Sequence, residues 1–276
     1  MKKNVLIAIL IAFPLSIALN SCVKEEKVTL NLPENLQTLL VVDGKIEAGK
    51  APCVLLTKGV PITKNLSLDD LAALSDVFIS NATVSVNDGT TDYTLTLQAV
   101  PEYPYICYTT NNLIGQVGKT YTLSIAYDAK TYSASTSIMP LPTIQSLTYS
   151  ANPIIDSFYN VILRFDDPAS QDNYYLSNKK TNNDKENNQE YLKDEYFNGN
   201  IYNYYYTSRA RQQDTIEVSF SQIPKDAYDF LRLNERNGAG SGLFNNVAQV
   251  KGNIQGTNTW GLWYGYQKYT NTIIIP

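Results

Sequence analysis

Alternation of apolar and polar residues, repeated along the chain, is the feature that most constrains its fold. Tyr121, Leu123 and Ile125 occupy every second position, and the turn at 128–130 separates them from a second alternating run that ends at Ile138. A period of two places successive side chains on opposite faces of a β-strand. Two such runs joined by a short polar turn predict a β-hairpin.

The same pattern recurs through the first half of the chain. The apolar run 39–42 ends at Asp43-Gly44, and the alternating runs 84–86 and 93–97 flank Asn87-Asp88-Gly89. About seven short strands with frequent turns in roughly 100 residues are typical of an immunoglobulin-like sandwich. We therefore predict an N-terminal immunoglobulin-like β-sandwich over 38–140, interrupted by a short helix at 67–75.

A second β-rich domain with one short helix is predicted for 141–276. Pro140 and Pro142 interrupt the alternation, because proline cannot donate a hydrogen bond within a central strand. Beyond them we expect strands at 161–165 and 215–220, a solvated loop at 178–190 and two final strands. The helix is expected near 224–236, where Pro224 suits its first position. The predicted fold class is thus mainly β.

The N-terminus has the features of a lipoprotein export signal. Lys2 and Lys3 precede an apolar run too short for a confident membrane span, and residues 19–22 resemble a bacterial lipobox that ends at Cys22. We predict a signal peptide over 1–21, and an acylated Cys22 that starts a polar tether over 22–37. An ordinary secretory signal is the alternative. Val23-Lys24-Glu25-Glu26 resemble a basic-then-acidic tag that directs bacterial lipoproteins to the cell surface, although a solvated linker is the alternative. That resemblance implies the outer face of the outer membrane, and the periplasmic face stays open.

Charge and composition exclude several classes of function. The chain has 22 basic and 26 acidic residues, for a net charge of −4, which argues against nucleic acid as a partner. It has no histidine, which excludes His-based catalytic triads and His-liganded zinc. We expect no cofactor, no metal and no catalytic residues.

Two cysteines follow Cys22, and each lies in a short β-like run. In an oxidising envelope Cys53 and Cys107 could pair, which would contribute about 4 kcal/mol in the chain-entropy treatment. Two separate buried thiols are the alternative, and the sequence does not decide between them.

Aromatic residues are the strongest sign of a binding surface. The chain has 21 tyrosines, and aromatics crowd 191–206 and 260–269. Such side chains offer rigid contact area to sugars, peptides and flat ligands, although aromatics also fill ordinary β-sheets. At least one of three consecutive tyrosines at 204–206 must point outward. The candidate ligand or partner surface is Tyr204, Tyr206, Trp260, Trp263 and Tyr264.

The acidic clusters give weaker signals. Asp166, Asp167 and Asp172 could supply calcium ligands but lack the spacing of an EF-hand, so a capped turn at Pro168 is the simpler interpretation. Asp194 and Glu195 are adjacent, and in a strand they would point in opposite directions and make a poor acid–base pair.

Several phrases in order resemble one family. The domain-of-unknown-function 4249 family of Bacteroidota outer-membrane lipoproteins is similar to this chain in "LLVVDGKI" (39–46), "ATVSV" (82–86), "GQVGKTYTLSI" (115–125), "DDPASQDNYYL" (166–176), "KDEYFNGN" (193–200), "DTIEVSFSQIPKDAYDFL" (214–231) and "GLWYGYQKYTNTIIIP" (261–276). The resemblance implies an accessory role beside TonB-dependent receptors in nutrient uptake, which is an association and not a mechanism.

These observations favour a surface-anchored, non-catalytic binding or accessory module. Its expected partners are the membrane, through the lipid anchor, a TonB-dependent receptor and a nutrient ligand of unknown identity. A structural fimbrial or adhesin subunit is the alternative, in which the apolar end 273–275 would act as a donated strand. An enzyme is the third and weakest hypothesis.

Overall fold

A computed structural model describes residues 39–59, 77–102, 104–156, 158–182, 188–238 and 252–276. The signal peptide 1–21, Cys22, the tether and the helix predicted at 67–75 lie outside the described residues. The described residues form, in chain order, β1 (Leu40–Glu47), β2 (Cys53–Lys58), β3 (Thr83–Asn87), β4 (Asp92–Ala99), β5 (Ile106–Thr109), β6 (Thr120–Tyr127), β7 (Lys130–Ser137), β8 (Thr143–Ala151), β9 (Tyr159–Asp166), β10 (Tyr174–Thr181), β11 (Asn188–Lys193), a 3-10 turn (Asp194–Tyr196), β12 (Ile201–Ala210), β13 (Thr215–Gln222), α1 (Lys225–Gly238) and β14 (Thr259–Ile274).

The predicted fold class is confirmed: the protein is mainly β, with sandwich-like sheets and a short helix. One sheet has 11 strands in the order β11-β10-β13-β14-β1-β2-β5-β4-β3-β6-β7, and a 3-stranded sheet has the order β12-β9-β8. The helix α1 starts at Lys225, one residue later than expected, and the Pro224 carbonyl accepts a hydrogen bond from the Tyr228 N–H at 3.0 Å. Pro224 therefore caps the helix and is not its first residue.

Strand β14 connects the two halves of the large sheet. Its first half, Thr259–Tyr266, pairs in parallel with β1, and its second half, Gln267–Ile274, pairs antiparallel with β13. The prediction of two final strands is therefore wrong, because one continuous strand of 16 residues has a partner along its whole length. Ile273 and Ile274 pair within the chain, with Ile216 and Thr215.

Three apolar clusters lie around this shared strand. The first core packs residues of β1–β7 with Trp263, the second packs β8–β10, β12 and β13 with Ile275, and the third lies between α1 and the outer face of β14. The described residues all belong to one compact unit, Asn35–Pro276. The domain boundary at 140/141 stays a prediction.

Trp263 fixes β14 in the first core. Its side chain is 0% exposed, and its indole N–H donates to the Tyr121 carbonyl at 3.1 Å. The residue paired with it in β1 is Gly44, where an added Cβ would lie 2.9 Å from the Trp263 ring. The indole ring therefore packs over a position that has no side chain of its own.

The two predicted hairpins are present. β3 and β4 pair from Asn87 and Asp92 onward, and β6 and β7 pair from Tyr127 and Lys130 onward. In contrast, β10 and β11 extend into the segment 178–190, where a solvated loop was expected. Pairing of β10 with β13 accounts for this, because it places Lys179 opposite Val218 within the sheet.

Cys53 and Cys107 form a disulfide in this structure, across a sequence separation of 54 residues. Cys53 opens β2 and Cys107 lies in β5, and these neighbouring strands pair antiparallel at Cys53 and Thr109. The bond therefore ties together two strands that already share a sheet. Of the two alternatives that the sequence leaves open, the structure shows the paired one.

Gly261 allows β14 to approach β1. It has φ +136°, and an added Cβ would lie 2.0 Å from the Val42 carbonyl oxygen. We predict that Gly261→Ala lowers the free energy of unfolding by at least about 3 kcal/mol, because the clash is with backbone. Gly118→Ala is the matched control: its φ is +82° and nothing lies within 4 Å, so only about 1 kcal/mol of backbone strain is expected. Urea unfolding measures both, and equal losses would contradict this role for Gly261.

Candidate functional site

The structure corrects the tyrosine part of the predicted surface. Tyr204 and Tyr206 are only 8% and 2% exposed, whereas Tyr205 between them is 56% exposed. The Tyr204 hydroxyl donates to the Glu190 carboxylate, and the Tyr206 hydroxyl accepts from Ser177 Oγ at 2.7 Å. Alternation along β12 puts one tyrosine outward, as expected, but the two predicted for the surface face the second core. Their rings therefore form no part of an exposed surface.

Trp263 also needs correction, because its buried ring belongs to the first core. The neighbouring side chains of β14 point the other way. Trp260 and Tyr264 are half-buried on the outer face of the sheet and pack against the third apolar cluster, and their role in binding stays a prediction. Trp260 packs on Phe230 of α1, with ring centroids 4.8 Å apart.

Tyr266 extends this outer surface. Its ring stacks on that of Tyr264, with centroids 5.3 Å apart and planes at 19°. Parallel pairing puts Lys45 beside Tyr264 and Glu47 beside Tyr266, on the same side of the sheet. We call the set Trp260, Tyr264, Tyr266, Asp43 and Glu47 the tyrosine face.

Glu47 orients the stacked pair. Its Oε2 accepts a hydrogen bond from the Tyr266 hydroxyl at 3.1 Å, and the Lys50 ammonium lies 3.1 Å from the same oxygen. Lys268 lies 3.9 Å from the other carboxylate oxygen. The carboxylate thus holds Tyr266 from one side while two cations offset its charge. A ring fixed in this way presents its surface without a further loss of rotamer entropy.

The electrostatics of the tyrosine face keep its phenols neutral. Burial, followed by the negative charge of Asp43, raises the pKa of Tyr264 well above its usual range. Burial, the neighbouring Tyr264 and then Glu47 raise the pKa of Tyr266 in the same direction. Both hydroxyls therefore stay protonated at neutral pH and can donate hydrogen bonds. The arrangement suits binding through ring contact and hydrogen bonds, and offers no phenolate for chemistry.

Sequence reasoning missed Asp43, Glu47 and Tyr266 as members of a site. Residues two apart on a strand place their side chains on one face, as 264 and 266 do. No short stretch of sequence, however, indicates that β14 lies parallel to β1. Parallel partners are far apart in sequence, here by 219 residues for Glu47 and Tyr266. That pairing is the step that brings the carboxylates to the aromatics.

The predicted acidic clusters serve as internal hydrogen-bond acceptors. Asp167 Oδ1 accepts from the Tyr175 hydroxyl at 2.5 Å, and its Oδ2 accepts from the Gly199 N–H at 2.9 Å. Asp194 is buried in the 3-10 turn, where its Oδ2 accepts from the Asn173 N–H at 2.8 Å. Within the part of the chain that the structure describes, no three His, Cys, Asp or Glu side chains are grouped to hold a metal ion.

The fold is that of a β-sheet protein whose outer face carries a stacked tyrosine pair with two carboxylates beside it. The chain belongs to the family described as domain of unknown function (DUF4249), whose sequence model matches residues 25–271. Comparison with curated proteins gives no match. Among the described helical residues, none form a segment long and apolar enough to cross a membrane.

Solved structures similar to the chain include a cytokine receptor complex, a fibronectin type-III segment and a set of FN domains. A cytokine receptor complex is 8% identical, with a TM-score of 0.27, covering 84% of this chain and 94% of that one. A two-domain fibronectin type-III segment from chicken tenascin is 10% identical, with a TM-score of 0.22 and coverage of 66% and 88%. The chicken CNTN1 FN1–FN3 domains are 12% identical, with a TM-score of 0.28 and coverage of 85% and 65%.

Asp43 gives a prediction of pH dependence. Its side chain is exposed, yet desolvation by its neighbours raises the pKa of its carboxyl above the ordinary value, and Lys45 opposes that effect; solvent screening keeps the effect on stability small. A raised pKa means that ionisation in the folded state costs free energy once the pH exceeds the unfolded pKa. We predict that Asp43→Asn raises the unfolding midpoint at pH 7 and that the gain disappears near pH 3. Thermal unfolding at both pH values measures it.

Asp88→Asn is the control of opposite sign. Backbone hydrogen bonds from Thr91 and a hydroxyl bond from Thr90 lower the pKa of Asp88 to about 2. The stabilisation is present at neutral pH and is lost as the pH falls through about 2, so this variant should have a lower midpoint at pH 7. If Asp43→Asn lowers the midpoint at pH 7 as Asp88→Asn does, the assigned environment of Asp43 is wrong.

Proposed function

We propose that this chain is a lipid-anchored, non-catalytic binding module that assists a TonB-dependent outer-membrane transporter in nutrient uptake. Acylation at Cys22 holds it on the outer membrane, facing the cell surface. The lipobox-like residues before Cys22, the polar tether after it and the resemblance to Bacteroidota lipoproteins support this proposal.

The tyrosine face is the observation that carries the binding role. Stacked rings give a flat apolar surface, the neutral Tyr264 hydroxyl can donate a hydrogen bond, and the Asp43 carboxylate supplies an acceptor on the same face, while Glu47 holds Tyr266 in place. A ligand with one flat apolar face and donor groups at its edge fits that combination. Because β14 has a partner strand on each half, the rings are held on a rigid element.

Removal of the anchoring thiol tests the localisation. We predict that Cys22→Ala moves the protein from washed membranes to the soluble fraction, because no acyl chain can then be attached. Mass spectrometry of the native protein should show acyl mass on Cys22. Ser21→Ala, which keeps the thiol and a small residue before it, is the control and should stay on the membrane. Membrane retention of Cys22→Ala, with no acyl mass on the native chain, would refute the anchor.

Substitution in the tyrosine face tests the binding role. The chain has 2 tryptophans, and Trp260 is the one that belongs to the tyrosine face, so ligand contact should change its fluorescence. For a ligand found by a thermal-stability screen of peptides and sugars, we predict that Tyr264→Ala weakens binding at least tenfold, about 1.4 kcal/mol. Tyr205→Ala removes an exposed ring from β12 and is the matched control.

The transporter partner is tested by affinity capture, which compares the wild type with Cys22→Ala. Affinity capture of the lipidated wild type from membranes should recover a TonB-dependent transporter, and Cys22→Ala should recover less of it. If no outer-membrane transporter is enriched, the accessory role is wrong.

For the binding test, equal ligand affinity in Tyr264→Ala and Tyr205→Ala would show that the tyrosine face is not the binding site.

A further inference from the structure

A cleft of about 380 Å³ lies between the β6–β7 hairpin and the junction of β13 with α1. Thr120, Ser135 and Ser137 line one wall, and Gln222 and Lys225 line the other, with Asp172 beside them. The cleft shares no residue with the tyrosine face. Its volume is within the range of small-molecule sites.

Gln222 has an unused hydrogen-bond acceptor. The side chain is 3% exposed, and its Nε2 donates to Asn173 Oδ1 at 2.6 Å. Within the described residues, Gln222 Oε1 is buried and has no hydrogen-bond partner. An unsatisfied buried acceptor costs about 1–3 kcal/mol, so a native structure needs a reason to keep one.

The surrounding network fixes which end of the Gln222 amide is unused. Asn173 Nδ2 donates to the Pro168 carbonyl at 2.8 Å and to the Gln171 carbonyl at 3.0 Å. A carbonyl oxygen can only accept a hydrogen bond, so the amide nitrogen of Asn173 faces these two carbonyls and its oxygen faces Gln222. Gln222 therefore presents Nε2 to Asn173, which leaves Gln222 Oε1 without a partner among the described residues. Gln222 lines the cleft, but its Oε1 has less than 1 Å² of accessible surface, so a donor that enters the cleft reaches this oxygen after a shift of the side chain.

The rest of the cleft favours a neutral ligand rich in hydroxyls. The hydroxyls of Thr120 and Ser137 lie 2.7 Å apart, and either can donate or accept. The Lys225 ammonium already pairs with the Asp229 carboxylate, so it offers little free charge. An anionic ligand would meet the Asp172 carboxylate, with no free cation among the described lining residues to offset it. The hydroxyl groups of a ligand can donate to the acceptors in the cleft walls and accept from the donors there.

We propose that this cleft binds a neutral polyhydroxylated molecule of mono- or disaccharide size, with a ligand hydroxyl donating to Gln222 Oε1. Thr120, Ser135 and Ser137 contact the other hydroxyls from the opposite wall. The proposal does not depend on the lipid anchor or on the tyrosine face.

Two variants test the cleft. Ser135→Trp fills it from the exposed face of β7 and leaves the Asn173–Gln222 contact intact, and Gln222→Leu removes the acceptor. Ser124→Trp is the matched control: it puts the same ring on the same exposed face of the hairpin, at a separate cavity of about 270 Å³. Circular dichroism checks that each variant folds.

The probes are glucose, galactose, maltose and lactose, with glucose 6-phosphate and glucosamine as charged comparisons. Calorimetry and ligand-observed NMR on the full chain should show binding of at least one neutral sugar. We expect Ser135→Trp and Gln222→Leu each to weaken it at least tenfold, and Ser124→Trp to leave it unchanged. The proposal is overturned if no neutral sugar binds at about 10 mM, if the charged sugars bind better, or if Ser135→Trp binds as the wild type does.

Discussion

The parallel pairing of β14 with β1 is the contact on which the rest of the structure depends. It joins residues 40–47 to residues 259–266, and the same strand then continues into antiparallel pairing with β13. Each apolar cluster takes part of its wall from this strand or from the residue after it: Trp263 for the first, Ile275 for the second and Leu262 for the third. Contacts between residues this distant in sequence carry a high loop-closure entropy cost. Burial of β14 side chains in several apolar clusters at once offsets that cost.

The two faces of β14 give adjacent residues different roles, one structural and one proposed for binding. Trp263 points into the first core, packs over Gly44 and donates to the Tyr121 carbonyl, whereas Tyr264 points outward and stacks on Tyr266. The proposed binding surface is therefore the reverse side of the part of β14 that Trp263 anchors. Asn253 reinforces it, because its side chain bonds both the N–H and the carbonyl of Trp263, at 2.9 and 2.7 Å. A face supported in this way loses little conformational entropy on binding.

Local patterns in the sequence were enough to predict the hairpins but not the assembly. Tyr127 and Lys130 flank Asp128 and Ala129, both with positive φ, and such a tight turn leaves the two alternating runs one way to pair. The tyrosines at 204–206 show the limit: alternation requires one to point outward, but the pairing of β12 with β9 decides that it is Tyr205. Lys179 is a second case, since a polar sequence read as a loop becomes a strand when β13 pairs beside it. Asp43 and Glu47 join the aromatics only through the parallel pairing, which no short stretch of sequence encodes.

The two candidate sites respond differently to pH, and this separates them physically. On the tyrosine face, burial and the nearby carboxylates raise the phenol pKa values, so the hydroxyls of Tyr264 and Tyr266 stay protonated through the physiological range. Asp43, whose pKa is also raised, loses its negative charge as the pH falls, and the neutral carboxyl is a weaker acceptor next to the rings. The unused acceptor of the cleft belongs to an amide, which does not titrate. Binding that weakens as the pH falls therefore points to the tyrosine face, and binding that does not change points to the cleft.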